Sequence, residues 1–225
     1  MAESTTVVTG NWLGSLPPRA LQRLHPQRVD KGTALFRRGE HLAHVFAVLQ
    51  GVVQVSRSVA PGRARIIGIA LDGDVVGCDA LATGIHAGDA LVVRESVLCA
   101  IDPHRWAPRA ARLPQLAALA ELQMMRMMRQ ETRLRLVGVS RVADLLLQLA
   151  EQSGCTRVEL PLDRRDIANY LGHSPQTLSR ALRRLDALHC LRRVDPLRFE
   201  VDVERLRQVR ALRRTRHAEG AAAGR

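Results

Sequence analysis

LDRRDIANYLGHSPQTLSRALRR, residues Leu162 to Arg184, has the spacing of two short helices meeting at a glycine turn. Asp163 suits an N-cap and Asp166 follows three residues later, so a helix starts at Arg164 with carboxylates near its positive end. Ile167 and Leu171 then share an inward face, and Ala168 is small where a second helix must cross. Gly172 accepts the positive φ that ends one helix and turns the chain. Ser174 followed by Pro175 restarts it, as an N-cap with proline at the first helical position.

On a wheel of about 100° per residue the second helix separates into two sides. Leu178, Ala181, Leu182 and Leu185 face inward, whereas Gln176, Ser179, Arg180 and Arg183 cluster outward with Thr177 and Arg184 on the flank. The outward residues suit a DNA groove: arginine donates twice to guanine, glutamine pairs with adenine, and serine is adaptable. This is a helix-turn-helix in which Gln176, Ser179 and Arg180 are expected to read bases, and Ser174, Thr177, Arg183 and Arg184 to contact phosphates. A plain solvated charged face would explain the arginines alone, but not the two caps and the glycine turn as well.

Downstream, 190–194 and 198–202 are short, partly alternating segments around Asp195-Pro196-Leu197, which reads as a small hairpin, the wing of a winged helix-turn-helix. Its Arg192, Arg193 and Arg198 are placed to touch phosphate. A last helix is expected over 203–216, with an arginine-rich solvated face, and 139–151 reads as the first helix of the same domain.

The net charge of +12 suits a polyanionic partner without locating it, because 1–139 and 140–225 each carry 17 basic residues against 11 acidic. No apolar run approaches the roughly 20 residues of a membrane span, and the N-terminus lacks a signal-like apolar core, so the expectation is a cytoplasmic chain without membrane contact. Cys78, Cys99, Cys155 and Cys190 form no CxxC pair, which predicts reduced, mostly buried thiols and no metal site. Gly-x-Ser-x-Gly, HExxH and phosphate-cradling glycine loops are absent from the sequence, so no catalytic residues are assigned and no enzyme is expected.

From Val29 to Ile101 short Val/Ile/Leu-rich segments alternate with glycines, as in a compact all-β unit; 47–55 and 65–71 are the clearest strands, with Ala60-Pro61-Gly62 a turn between them. From about Pro114 the pattern turns helical. Leu113, Ala120, Met127 and Leu134 recur every seven residues, and the Met124, Met125, Met127 and Met128 group widens the apolar surface, which predicts a long helix with a seam for a second copy, interrupted by Glu131. A homodimer is the economical reading, since a winged helix-turn-helix ordinarily reads two half-sites about a two-fold axis.

In that order, β unit, long helix and winged helix-turn-helix resemble the CRP/FNR family of bacterial transcription regulators. The resemblance rests on Lys31-Gly32-Thr33-Ala34-Leu35-Phe36 with Gly39-Glu40, on 48–53 and 73–80 in the β unit, on 123–128 in the long helix, and on Asp166 to Gly172. The segments 73–80, 123–128 and 166–172 are most similar to the FNR and FixK branches. It implies an α+β chain: a cyclic-nucleotide-binding-type β-roll sensor domain over 1–105, a dimerisation helix over 106–138, a winged helix-turn-helix DNA-binding domain over 139–217, and a flexible tail over 218–225. Double-stranded DNA, a second copy of the chain and RNA polymerase are the implied partners.

Several positions depart from the family pattern. Members that bind cyclic AMP hold its phosphate with an Arg-Ser pair, and the corresponding place here reads Gly88-Asp89-Ala90, where Asp89 repels a phosphate. The iron–sulfur members use three cysteines near the N-terminus and one in the β-roll; Cys99 matches the last, but 1–77 contain no cysteine. A haem input would need an axial ligand, with His41, His44 and His86 as candidates by location, each read as an ordinary loop or surface histidine. The preferred expectation is therefore no cofactor. A haem- or other small-molecule-binding sensor, whose β-roll ligand controls or replaces DNA binding, is the alternative. In the FNR-type recognition helix the sequence runs Glu-x-x-Ser-Arg, whereas this chain has Gln176 ahead of Ser179-Arg180, so half-sites resembling TTGAT with altered preference opposite Gln176 are expected.

Overall fold

The computed structural model describes residues 25–60, 62–81, 83–102 and 138–211. All but the last residue of the helix expected over 106–138 and the whole tail over 218–225 lie outside the described residues, as does Pro61 in the expected turn. The chain divides into two units, each taken by itself.

The first unit is a β structure built on two long strands. β1 (Pro26–Val29), β2 (Ala34–Phe36), β3 (Val45–Ala60), β4 (Arg63–Ala70), β5 (Val75–Val76) and β6 (Asp89–Ile101) form one antiparallel sheet ordered β1-β6-β3-β4, with β2 also on β6 and β5 also on β3. β3 begins two residues before the expected strand and runs five beyond it, because the segment after Val55 keeps its pairing to β4 without needing an apolar face. Ala47 and Val48, neighbours in β3 and both fully buried, serve different clusters: Ala47 packs with Val75, Cys99 and Ile101, and Val48 with Phe36, Val92 and Leu98. Alternating side chains thus bury both faces of the sheet, which is why these strands read as nearly continuous apolar runs.

Gly51 lets β3 pass close against β6. It has φ 114°, and a Cβ there would lie 2.1 Å from Ser96 Oγ. The buried Ser96 hydroxyl instead accepts the Val52 N–H at 3.1 Å, so a side chain at 51 would expel a needed acceptor.

The second unit is helical with a small sheet. It contains α1 (Val139–Ser153), β7 (Arg157–Glu159), α2 (Arg164–Leu171), α3 (Pro175–Ala187), β8 (Leu191–Arg193), β9 (Arg198–Val201) and a helix, α4, over 203–211. α1 matches the expected first helix and ends at Gly154 in the left-handed region. β8 and β9 are the expected hairpin, but β9 also pairs with β7, a strand absent from the sequence expectation, giving the order β7-β9-β8. Leu146, Leu147, Leu160, Ile167, Leu178, Leu185, Phe199 and Leu206 are fully buried and supply the core. Among the described residues no helix is long and apolar enough to cross a membrane.

Candidate nucleic-acid interface

α2 starts where its cap chemistry places it. The Asp163 carboxylate accepts the Asp166 N–H at 2.8 Å, satisfying one of the free donors of the first turn. Ile167, Ala168 and Leu171 are buried, and Gly172, at φ 66°, ends the helix. Arg141 of α1 donates through Nη1 to the Leu171 carbonyl at 2.7 Å, so a charged donor meets the negative end of α2 and ties it to α1.

Ser174 then caps α3. Its Oγ accepts the Thr177 N–H at 3.1 Å and lies 2.9 Å from Thr177 Oγ1. Leu178, Ala181, Leu182 and Leu185 are the buried side of α3, as the wheel requires. Gln176, Arg180, Arg183 and Arg184 are exposed, and Thr177 and Ser179 are half-buried. Among the described residues no ion pair engages Arg180, Arg183 or Arg184, so one face of a rigidly packed helix presents three guanidiniums and an amide to solvent. The seven residues expected to touch DNA, Ser174 to Arg184, thus share one helix and its cap.

The far end of α3 turns through a non-glycine residue. His189 has φ 54°, and the Cys190 N–H reaches back to the Leu185 carbonyl at 2.9 Å. The same turn starts β8, which positions the wing beside the recognition helix.

The wing arginines divide unequally. Arg192 donates to Glu200 through Nε at 3.1 Å, and Arg198 donates to Glu159 at 3.1 Å, so both have carboxylate partners within the wing sheet. Arg193 donates to the Asp195 carbonyl at 3.4 Å, and no ion pair engages it among the described residues. Arg164, absent from the sequence expectation, donates to the Pro196 carbonyl at 3.0 Å and joins the first turn of α2 to the wing turn. Partial burial, and next the positive charge of Arg193, lower the Arg164 pKa from its ordinary value. Two guanidiniums from different elements therefore face the same region, a proximity that residue spacing in the sequence did not reveal.

In the β-roll one expectation is corrected in part. His86 lies in a loop, as expected, but not at the surface: it is 2% exposed, its ring stacks on Phe36 with centroids 3.7 Å apart, and Nδ1 lies 3.3 Å from Asp79 Oδ1. The aromatic stack and the carboxylate compensate the burial that base rates for histidine disfavour. The other Asp79 oxygen accepts the Ala87 N–H at 2.8 Å. His41 and His44 are exposed. Cys99 is fully buried, and burial pushes its thiol pKa up to about 11, the setting of a packed rather than a reactive thiol. Cys78 and Cys190 are also buried, and Cys155 is exposed.

Comparison with known proteins places both units. Residues 140–209 match the family model of the Crp-like helix-turn-helix domain, and residues 26–108 that of the cyclic nucleotide-binding domain. The fumarate nitrate reduction regulatory protein of Klebsiella oxytoca is 31% identical over 170 residues, 69% of this chain and 66% of that protein. The chain belongs to the CRP/FNR family of transcription regulators. The fumarate and nitrate reduction regulatory protein of Escherichia coli K12 is 30% identical over the same shares, so the chain spans just under two thirds of the length of these curated relatives. Among solved structures, FixK2 from Bradyrhizobium japonicum superposes with a TM-score of 0.72 at 22% identity, covering 84% of this chain and 98% of that one. Members of the family that bind cyclic AMP are expected to hold its phosphate with an Arg-Ser pair in the β-roll, and the geometry of this chain there is different. Asp89 Oδ1 accepts the Arg38 N–H at 3.0 Å, so a carboxylate occupies the place where the resemblance puts the anion grip. These residues do not fit a cyclic-nucleotide phosphate.

Proposed function

We propose that this CRP/FNR chain is a sequence-specific DNA-binding transcription regulator that reads a two-fold site with FNR-like half-sites as a homodimer, without a cyclic-AMP or iron–sulfur input. The observation that carries the reading is α3 itself: a capped helix buried along Leu178, Ala181, Leu182 and Leu185, with Gln176, Arg180, Arg183 and Arg184 exposed and no carboxylate ion-paired to its arginines among the described residues. Gln176, Ser179 and Arg180 read base edges. Ser174, Thr177, Arg183 and Arg184 hold phosphates, joined by Arg164 and Arg193 at the wing. The Asp89 carboxylate, held by the Arg38 N–H, and the packed Cys99 support a regulator whose β-roll takes neither ligand. RNA polymerase is the partner through which such a regulator acts, in the cytoplasm and without chemistry of its own.

Selection of bound fragments from a genomic library with the purified full-length protein tests this directly. The expected result is an inverted repeat with half-site centres about one helical turn apart. Uniform recovery of fragments, or enrichment of a lone unrepeated half-site, would overturn the two-fold reading.

A further inference from the structure

The β3–β4 hairpin continues past the sheet that supports it. The last pairing of β3 with β6 is Ser56 opposite Asp89, and from residue 57 onward β3 pairs only with β4. Residues 57–60 of β3 and 63–65 of β4 are all exposed, so this end of the hairpin is a two-stranded ribbon with no core beneath it. Such ribbons are marginal in water unless their side chains support one another.

Here the side chains oppose one another. Arg57 stands directly across from Arg65, and Arg63, two residues along the same strand, shares their face. Like charges facing across a ladder destabilise it. Among the described residues no ion pair engages Arg57, Arg63 or Arg65, although Arg28, Arg192, Arg198, Arg205, Arg207 and Arg210 all have carboxylate partners. The carboxylate nearest the ribbon base in the register, Asp89, already accepts the Arg38 N–H. The ribbon arginines thus share the exposure and lack of ion pairing of the recognition-helix arginines.

We propose that the ribbon is a second, sequence-independent nucleic-acid contact, in which Arg57, Arg63 and Arg65 bind the phosphate backbone of duplex extending beyond the half-sites. The chemistry fits a phosphate row: three guanidiniums on one face, each a multidentate donor, in a chain of net charge +12 whose basic excess is not confined to the helix-turn-helix. A bound polyanion removes the Arg57–Arg65 repulsion that the free ribbon carries. The inference rests on the DNA-binding reading above, but not on the sequence specificity of that binding.

The test compares the full-length protein with R57Q/R63Q/R65Q and with R57K/R63K/R65K on duplexes of about 25 and about 60 base pairs. Each duplex carries two inverted TTGAT half-sites about 10 base pairs apart centre to centre, or a scrambled sequence. Affinity is measured by fluorescence anisotropy over a salt series. On the short duplex all three proteins should bind alike. On the long duplex the wild type and the lysine variant should gain a steeper salt dependence, and the glutamine variant should fall short of them by about 5 in the log–log slope, three arginines from each protomer of the dimer, for specific and scrambled sequences equally. The glutamine variant should melt at or above the wild-type temperature, since it loses a repulsive pair. Equal slopes for all three on the long duplex would overturn the proposal and leave an acidic protein surface as the partner. A wild type indifferent to the half-sites, with the ribbon increment intact, would overturn the specificity reading instead; loss of all duplex binding would overturn both.

Discussion

Ser174 and Thr177 are joined twice: Ser174 Oγ accepts the Thr177 N–H at 3.1 Å and lies 2.9 Å from its hydroxyl at the first turn of the recognition helix. The cap therefore holds a proposed phosphate contact in place while remaining a proposed contact itself. Ser174→Ala should lower unfolding free energy by about 1 kcal/mol and weaken DNA binding. Ser174→Asp preserves the cap but places a negative charge against phosphate, so it should keep the urea midpoint and still lose affinity. Unaltered DNA binding by the aspartate variant would remove Ser174 from the interface.

Arg180 and Arg184 separate base reading from backbone contact. Arg180→Ala should cost about 1–3 kcal/mol on the selected site and little on random duplex. Arg184→Ala should weaken both alike and reduce the salt slope by about 1. Gln176→Glu removes the amide donor, so preference should narrow toward the base pair presenting a cytosine amino group. Binding titrations on single-base variants of the site check all three; equal loss on specific and random DNA for Arg180→Ala refutes its assignment.

His189 holds φ 54° at the turn from α3 into the wing. A non-glycine residue in that region is strained by roughly 1–2 kcal/mol, and glycine gives back part of the relief through its freer unfolded chain. His189→Gly should therefore gain roughly 0.5–1 kcal/mol in chemical denaturation with DNA affinity unchanged, whereas the β-branched His189→Val should lose stability.

Acid should loosen the wing turn only when the pH falls through the depressed pKa of Asp195. The Leu197 and Arg198 N–H groups both donate to Asp195 Oδ1 at 2.8 Å, and these bonds, the Leu197 one foremost, hold the carboxyl below its ordinary pKa of 3.8. A depressed folded pKa contributes stability above the unfolded value, lost as pH falls through the folded one. The Leu197 and Arg198 amide resonances should shift together below about pH 4. They should not do so in Asp195→Asn, which should already be less stable at neutral pH.

The four cysteines should differ sharply in alkylation of the native protein. Cys155 is exposed and should react first, while fully buried Cys99, with its pKa near 11, should react only after unfolding. Peptide mass mapping over a time course reads the order; early labelling of Cys99 would mean that the first unit opens locally under native conditions.

Legibility in the sequence followed the range of the interactions. Asp163, Gly172 and Ser174 act within four residues of themselves, so both helices of the motif were placed at their observed starts, and the burial of Leu178, Ala181, Leu182 and Leu185 followed from helical period alone. β7 was missed because three residues carry little periodic signal and its partner, β9, lies some forty residues away. The stacking of His86 on Phe36 likewise joins residues fifty apart.

By itself the sequence determined the helix-turn-helix, its buried and exposed sides, the β character of the first unit and the family, because caps, periods and turns are local chemistry. Only the tertiary structure decided which charges are already paired. It gave Arg192 and Arg198 to wing carboxylates, brought Arg164 beside Arg193, buried His86, and set Arg57 against Arg65 with no acid between them. Pairing depends on which strands and turns meet in space, and spacing along the chain does not contain that information.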